Sequence, residues 1–103
     1  MDNLRIALLH LAPVPGELTL NRQLIERAIT TAARAGAAWM ITPELCVCGY
    51  TFTNTIGTDW IMPQPDPWMT RICQLAANLR VTLFLSHPER DPHSNTLHNT
   101  VFV

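Results

Sequence analysis

Apolar residues change their spacing several times along this chain, and each change marks an element. Residues 4 to 11 are mostly apolar and end at Ala12-Pro13, which predicts a short strand buried on both faces. Residues 13 to 16 read as a loop. From Thr19 the apolar positions fall at helical intervals: Leu24, Ile25, Ala28, Ile29, Ala32 and Ala33. Arg22, Glu26, Arg27 and Arg34 lie mostly on the other face, and Gly36 is a fitting stop. Residues 38 to 42 form a second buried run, closed by Pro43. The first 42 residues therefore predict one β-α-β unit with parallel strands and a right-handed crossover.

Residues 45 to 65 keep no clean period and hold Gly49, Gly57, Pro63 and Pro65. They read as a long loop or lid, a feature that in compact domains is functional or mobile. Asp66-Pro67 has the form of a helix cap followed by proline in the first turn. Met69, Ile72, Cys73, Ala76 and Leu79 (or Ala77) supply the apolar face of that second helix. Residues 81 to 85 are a third strand, rich in strand formers. Residues 87 to 98 are polar and turn-rich, and residues 100 to 103 begin a fourth strand. Val101-Phe102-Val103 carries no polar tail or turn signal, so the chain is expected to continue beyond it. The predicted fold class is α/β, in β-α-β-α-β-β order.

Composition narrows the function classes. The 103 residues suffice for one domain, expected to be a single partial one truncated at its C-terminus. Charged residues make up 15% and the net charge is −1, with no basic run or stripe, so nucleic acid is not an expected partner. No apolar run approaches the roughly 20 residues that cross a bilayer, and the start lacks the form of a signal peptide. A cytoplasmic protein without a membrane partner is the expectation. Cys46, Cys48 and Cys73 are an odd number and read as reduced thiols. All seven basic residues are arginine; the chain contains no lysine.

Glu44 is the foremost candidate for chemistry. It follows an apolar run and Pro43, and Gly49-Tyr50 comes shortly after. That puts one carboxylate at the carboxyl end of a buried strand, where open α/β sheets bind ligands. It can serve there as a general acid or base, or merely pair with an arginine or cap the turn. Cys46-Val47-Cys48 lacks the spacing of redox or zinc motifs, and the two thiols read as small apolar fillers. His87, Glu89, His93 and His98 cluster in sequence without a metal-ligand spacing, and no metal is expected. His10 reads as a histidine at the core edge. Trp39, Trp60 and Trp68 read as packing residues.

Taken together, the order of motifs resembles the N-terminal portion of the nitrilase superfamily, the carbon–nitrogen hydrolases. The resemblance rests on Arg5-Ile6-Ala7-Leu8-Leu9-His10, on Asn21 and Ala35-Gly36-Ala37 of the first helix, and on Trp39-Met40-Ile41-Thr42-Pro43-Glu44-Leu45 with Gly49-Tyr50. His87-Pro88-Glu89-Arg90-Asp91 and Asn99-Thr100-Val101 complete it. It implies the first part of an αββα sandwich with the sheet incomplete. It also implies a Glu-Lys-Cys triad, in which Glu44 is the general base that activates a cysteine nucleophile. The lysine would stabilise charge on the tetrahedral intermediate. Glu89 would be a second acidic residue supporting the centre. The implied substrate is a small amide, carbamoyl compound or nitrile, with amides foremost. No cofactor is implied, and the complete protein is expected to be a homo-oligomer.

The departures from the family pattern are specific. The lysine is missing, and the family's nucleophile lies well downstream of Glu44. Cys46 and Cys48 are too near to match it, and Cys73 falls inside a predicted helix, facing the core. His98 stands where an aromatic residue commonly precedes the asparagine. The isolated chain is therefore expected to be inactive and prone to self-association. Two alternatives stand beside this: a non-catalytic binding module keeping the half-fold, and a small redox or metal protein built on the cysteines and histidines.

Overall fold

A computed structural model describes residues 2–103. Its elements are β1 (Ile6–Leu8), α1 (Leu18–Arg34), β2 (Trp39–Ile41), a 3-10 turn (Phe52–Asn54), α2 (Pro67–Leu79), β3 (Thr82–Arg90) and β4 (Leu97–Phe102). The strands form one sheet in the order β1-β2-β3-β4. β1, β2 and β3 run parallel, and β4 returns antiparallel to β3. The predicted β-α-β-α-β-β order holds. The architecture is α/β, a single open sheet carrying two helices, consistent with part of an α/β sandwich.

Both helices lie on the same face of the sheet, as two right-handed crossovers stepping in one direction require. Ile25 and Ile29 of α1 and Met69 and Ile72 of α2 meet Met40, Leu83 and Leu85 of the strands in one buried core. Strand alternation decides which residues enter it. Ala7, Met40 and Leu83 are paired across the three parallel strands and face the helices. Their neighbours face the other way: Ile6 with Trp39 and Thr82, then Leu8 with Ile41 and Phe84.

That second face corrects one expectation. Leu4–Leu11 was to be buried on both sides, yet only three residues form the strand, and Ile6 and Leu8 are 49% and 64% exposed. An apolar run signals burial on both faces, whereas here the described residues cover one face only. Trp39 and Phe84 pair on the open face with ring centroids 5.2 Å apart.

The helix ends follow local rules. Asp66 Oδ1 accepts from the Met69 amide at 2.8 Å, with Pro67 in the first turn. α1 closes where Gly36 turns left-handed at φ +90°, the Gly36 amide bonding the Ala33 carbonyl and the Ala37 amide that of Ala32. α2 closes by the same pair of bonds, with Arg80 in the left-handed position at φ 56°.

Two further expectations change. β3 runs five residues past the predicted Leu85, through His87-Pro88-Glu89-Arg90. Beyond Phe84 the strand pairs only with β4, so the amide that Pro88 lacks is not needed by a strand on each side. Cys73 lies on α2 as expected but faces solvent rather than the core.

His87 is the most buried polar group. It stacks on Trp68 at 5.8 Å, with Trp60 and Phe102 edge-on at 6.4 Å. Its Nδ1–H donates to the Pro88 carbonyl at 2.6 Å, and Nε2 has no partner among the described residues. Burial holds its pKa below the usual value of 6.5, and Arg22 adds to this; the Pro88 carbonyl, Asp66 and Glu89 oppose it only in part.

Two measurements test this core. Met40→Ala should cost about 2–5 kcal/mol in urea unfolding, and Ile6→Ala on the open face less than about 1 kcal/mol. For His87, the unfolded chain takes up a proton below pH 6.5 that the folded chain refuses. Stability should therefore fall as the pH drops from 7.5 to 5.5, and the urea midpoint of His87→Phe should fall less over that range.

Candidate functional site

Glu44 stands three residues past the end of β2, and its backbone is fixed on both sides. Before it, the Thr42 amide donates to the Phe84 carbonyl at 3.0 Å, and the Ser86 amide donates to Thr42 Oγ1 at 3.0 Å. These bonds carry the β2–β3 pairing beyond the last ladder position. After it, the Leu45 amide donates to Ser86 Oγ at 2.8 Å. Leu45 is left-handed at φ 51°, an uncommon state for a residue with a branched side chain. The chain then folds into a tight turn, in which the Cys48 and Gly49 amides both return to the Leu45 carbonyl.

The turn is tethered from the other side by the first helix. Asn21 is buried, and its Nδ2 donates to the carbonyls of Val14 at 2.8 Å and Val47 at 3.0 Å. The Gly16 amide donates to the Cys48 carbonyl at 2.9 Å. Gly49 explains its place in the Gly-Tyr pair. It is left-handed at φ +75°, and a Cβ there would stand 3.0 Å from the Pro15 backbone.

The Glu44 side chain is exposed. Its Oε2 accepts a hydrogen bond from Asn99 Nδ2 of β4 at 3.1 Å. Glu89 is half-buried and accepts from Thr100 Oγ1 at 2.8 Å. Asn99 and Thr100 are consecutive strand residues and point to opposite faces. The two acidic groups thus approach the β3–β4 hairpin from opposite sides, each tied to one of two neighbouring residues. In the sequence Asn99 is marked only by the Asn99-Thr100-Val101 motif. Its link to Glu44 spans 55 positions and leaves no local periodic signal.

An open crevice of about 520 Å³ lies beside this strand end. Leu9, His10, Leu11, Ile41, Thr42 and Pro43 line it. It sits at the carboxyl ends of two parallel strands, the usual ligand position of such sheets. His10 is exposed there rather than set into the core edge.

Neither Cys46 nor Cys48 lies in a setting that favours a thiolate. Cys46 and Cys48 are buried in the core. Burial raises both thiols, Cys48 to about 12 with Cys46 beside it adding to the rise. Cys73 lies on the outer helix, away from the strand end that carries Glu44. Among the described residues no group of three or more His, Cys, Asp or Glu stands close enough to hold a metal ion. No helix among them is long and apolar enough to cross a membrane.

Arg90 is a structural residue that sequence reading left without a role. Its guanidinium donates to the Ile61 and Thr58 carbonyls at 2.8 Å each and to Asn95 Oδ1 at 3.0 Å. It pins the long loop and the hairpin turn together. Asp91 accepts from the Ser94 and His93 amides, which lowers its pKa.

The chain belongs to the carbon-nitrogen hydrolase family, whose pattern matches residues 5–103. Among solved structures it is similar to a glutamine-dependent NAD(+) synthetase from Cytophaga hutchinsonii, with 26% identity and a TM-score of 0.74. That similarity covers 97% of this chain and 17% of the synthetase, so the chain spans about a sixth of that protein's length. No curated protein matches the chain.

Native-state alkylation checks the cysteine settings. Iodoacetamide at pH 8 should modify Cys73 and spare Cys46 and Cys48, with all three reacting in denaturant; mass spectrometry of the peptides reads the result.

Proposed function

We propose that these residues carry the general base of an enzyme that hydrolyses the carbon–nitrogen bond of small amides, and that Glu44 is that base. One observation carries the reading. Glu44 is held by its backbone at the carboxyl end of β2, and its carboxylate is oriented by a neutral hydrogen-bond donor. A carboxylate so held can take the proton of a thiol. The thiolate attacks the amide carbon, Glu44 returns that proton to the nitrogen as the C–N bond breaks and ammonia leaves, and water, giving a proton to Glu44, then hydrolyses the thioester to the acid and the thiol.

The chemistry also needs a cysteine nucleophile and a cation for the tetrahedral oxyanion. The chain has no lysine. Its two cysteines nearest Glu44 in sequence are buried thiols with raised pKa. On this reading the lysine that the family resemblance implies and the nucleophilic cysteine are both supplied from outside residues 1–103, and residues 1–103 alone should be inactive. Glu89 supports the site at one remove, because its bond to Thr100 ties β4 to β3 beside Asn99. Glutamine is the first substrate to try, since the similar synthetase depends on it.

Ammonia release from L-glutamine and a panel of short amides tests the reading in the complete protein. Glu44→Gln should lower kcat at least about 100-fold, within the range for loss of a general base. Residues 1–103 alone should release none. Full activity in Glu44→Gln, or no release from any amide by the complete protein, would overturn the reading and favour a non-catalytic module.

A further inference from the structure

We infer that Asn99 is the positioning residue of the site: its side-chain amide fixes the Glu44 carboxylate so that one oxygen is held and the other is free to accept a proton. The inference rests on the reading of Glu44 as the base.

The geometry supplies the reasons. Glu44 projects from a strand end into the open, on a side chain with three rotatable bonds. The residues on either side of it are clamped, Thr42 and Leu45 each bonding Ser86, but these contacts do not reach the Glu44 side chain. The side-chain hydrogen bond recorded for it among the described residues is the one from Asn99 Nδ2 to Oε2. Without that bond the carboxylate samples several rotamers, and a base spread over rotamers spends little time within reach of its proton. Oε1 remains available as the acceptor.

Asn99 is suited to the task by where it stands. It lies within β4 and is paired with Pro88 of β3. The next residue, Thr100, is anchored to Glu89. The donor is therefore built on a rigid strand rather than on a loop. Its chemistry also fits. A guanidinium or ammonium in this position would hold the carboxylate but favour its charged form and weaken it as a base. A neutral amide orients the same oxygen without setting a charge beside it.

The experiment uses the complete protein, with ammonia release from L-glutamine or the best amide of the panel. Asn99→Ala should lower kcat about 10- to 100-fold, the scale for a misplaced catalytic group, with KM changed less than about 3-fold. Asn99→Thr, which suits a strand, should show the same kinetic loss with an unchanged thermal midpoint. Glu44→Asp keeps a carboxylate but draws it back from Asn99. Asn99→Ala should therefore cost nothing further in the Glu44→Asp background.

The failures separate. Full activity in Glu44→Gln removes the base and this inference with it. Loss in Glu44→Gln together with wild-type kcat in Asn99→Ala overturns the positioning role alone. A loss from Asn99→Ala that multiplies with that of Glu44→Asp, or that follows the thermal midpoint, assigns Asn99 a merely structural part.

Discussion

The pairing of β2 with β3 is the contact on which everything else in this chain depends. β2 contributes only three ladder residues, Trp39, Met40 and Ile41. A slip of one residue would carry Met40 out of the core and put Trp39 in its place. Two side-chain bonds extend the pairing past the strand, through Thr42 Oγ1 and Ser86 Oγ. Because of them Glu44 has a defined position although it lies beyond the sheet. Leu45 can hold a left-handed backbone because its amide is fixed there. β4 then pairs along the same β3, so the strand that sets Glu44 from one side also sets Asn99.

The core is one-sided, and this shapes the rest of the molecule. Helices and the long loop cover one face, where Cys46, Val47, Cys48, Phe52 and Ile61 join the strand and helix residues. The opposite face presents Ile6, Leu8, Trp39 and Ile41 to solvent. An apolar sheet face of this kind is what sheet-on-sheet packing buries. It agrees with the layered sandwich that the family resemblance implies.

Much of this was legible in the sequence, for identifiable reasons. The 3.6-residue spacing around Ile25 and Ile29 and the Asp66-Pro67 cap are local signals, and both helices follow them. Glu44 was legible because Pro43 and the apolar run before it mark a strand end. The length of β3 was not legible, since Pro88 and Glu89 are residues that strands disfavour and the antiparallel partner extends them. The exposure of Ile6 and Leu8 was hidden because an apolar run does not say which layers are present. Cys73 was misread because several registers of α2 give an apolar face. The Asn99–Glu44 bond and the Arg90 contacts join distant segments, and such pairs leave no periodic trace in one sequence.

The central claim is that the Glu44 carboxylate, held from β4, acts on a thiol brought to it from outside these residues. A crystal structure of the complete protein trapped as its thioester with a slow amide substrate tests this most directly. A Glu44 oxygen should stand within about 2.6–3.2 Å of the acylated sulfur or of a water aimed at the thioester carbon, with Asn99 still bonded to the other oxygen. A thioester formed with Glu44 turned away and out of reach of both would contradict it.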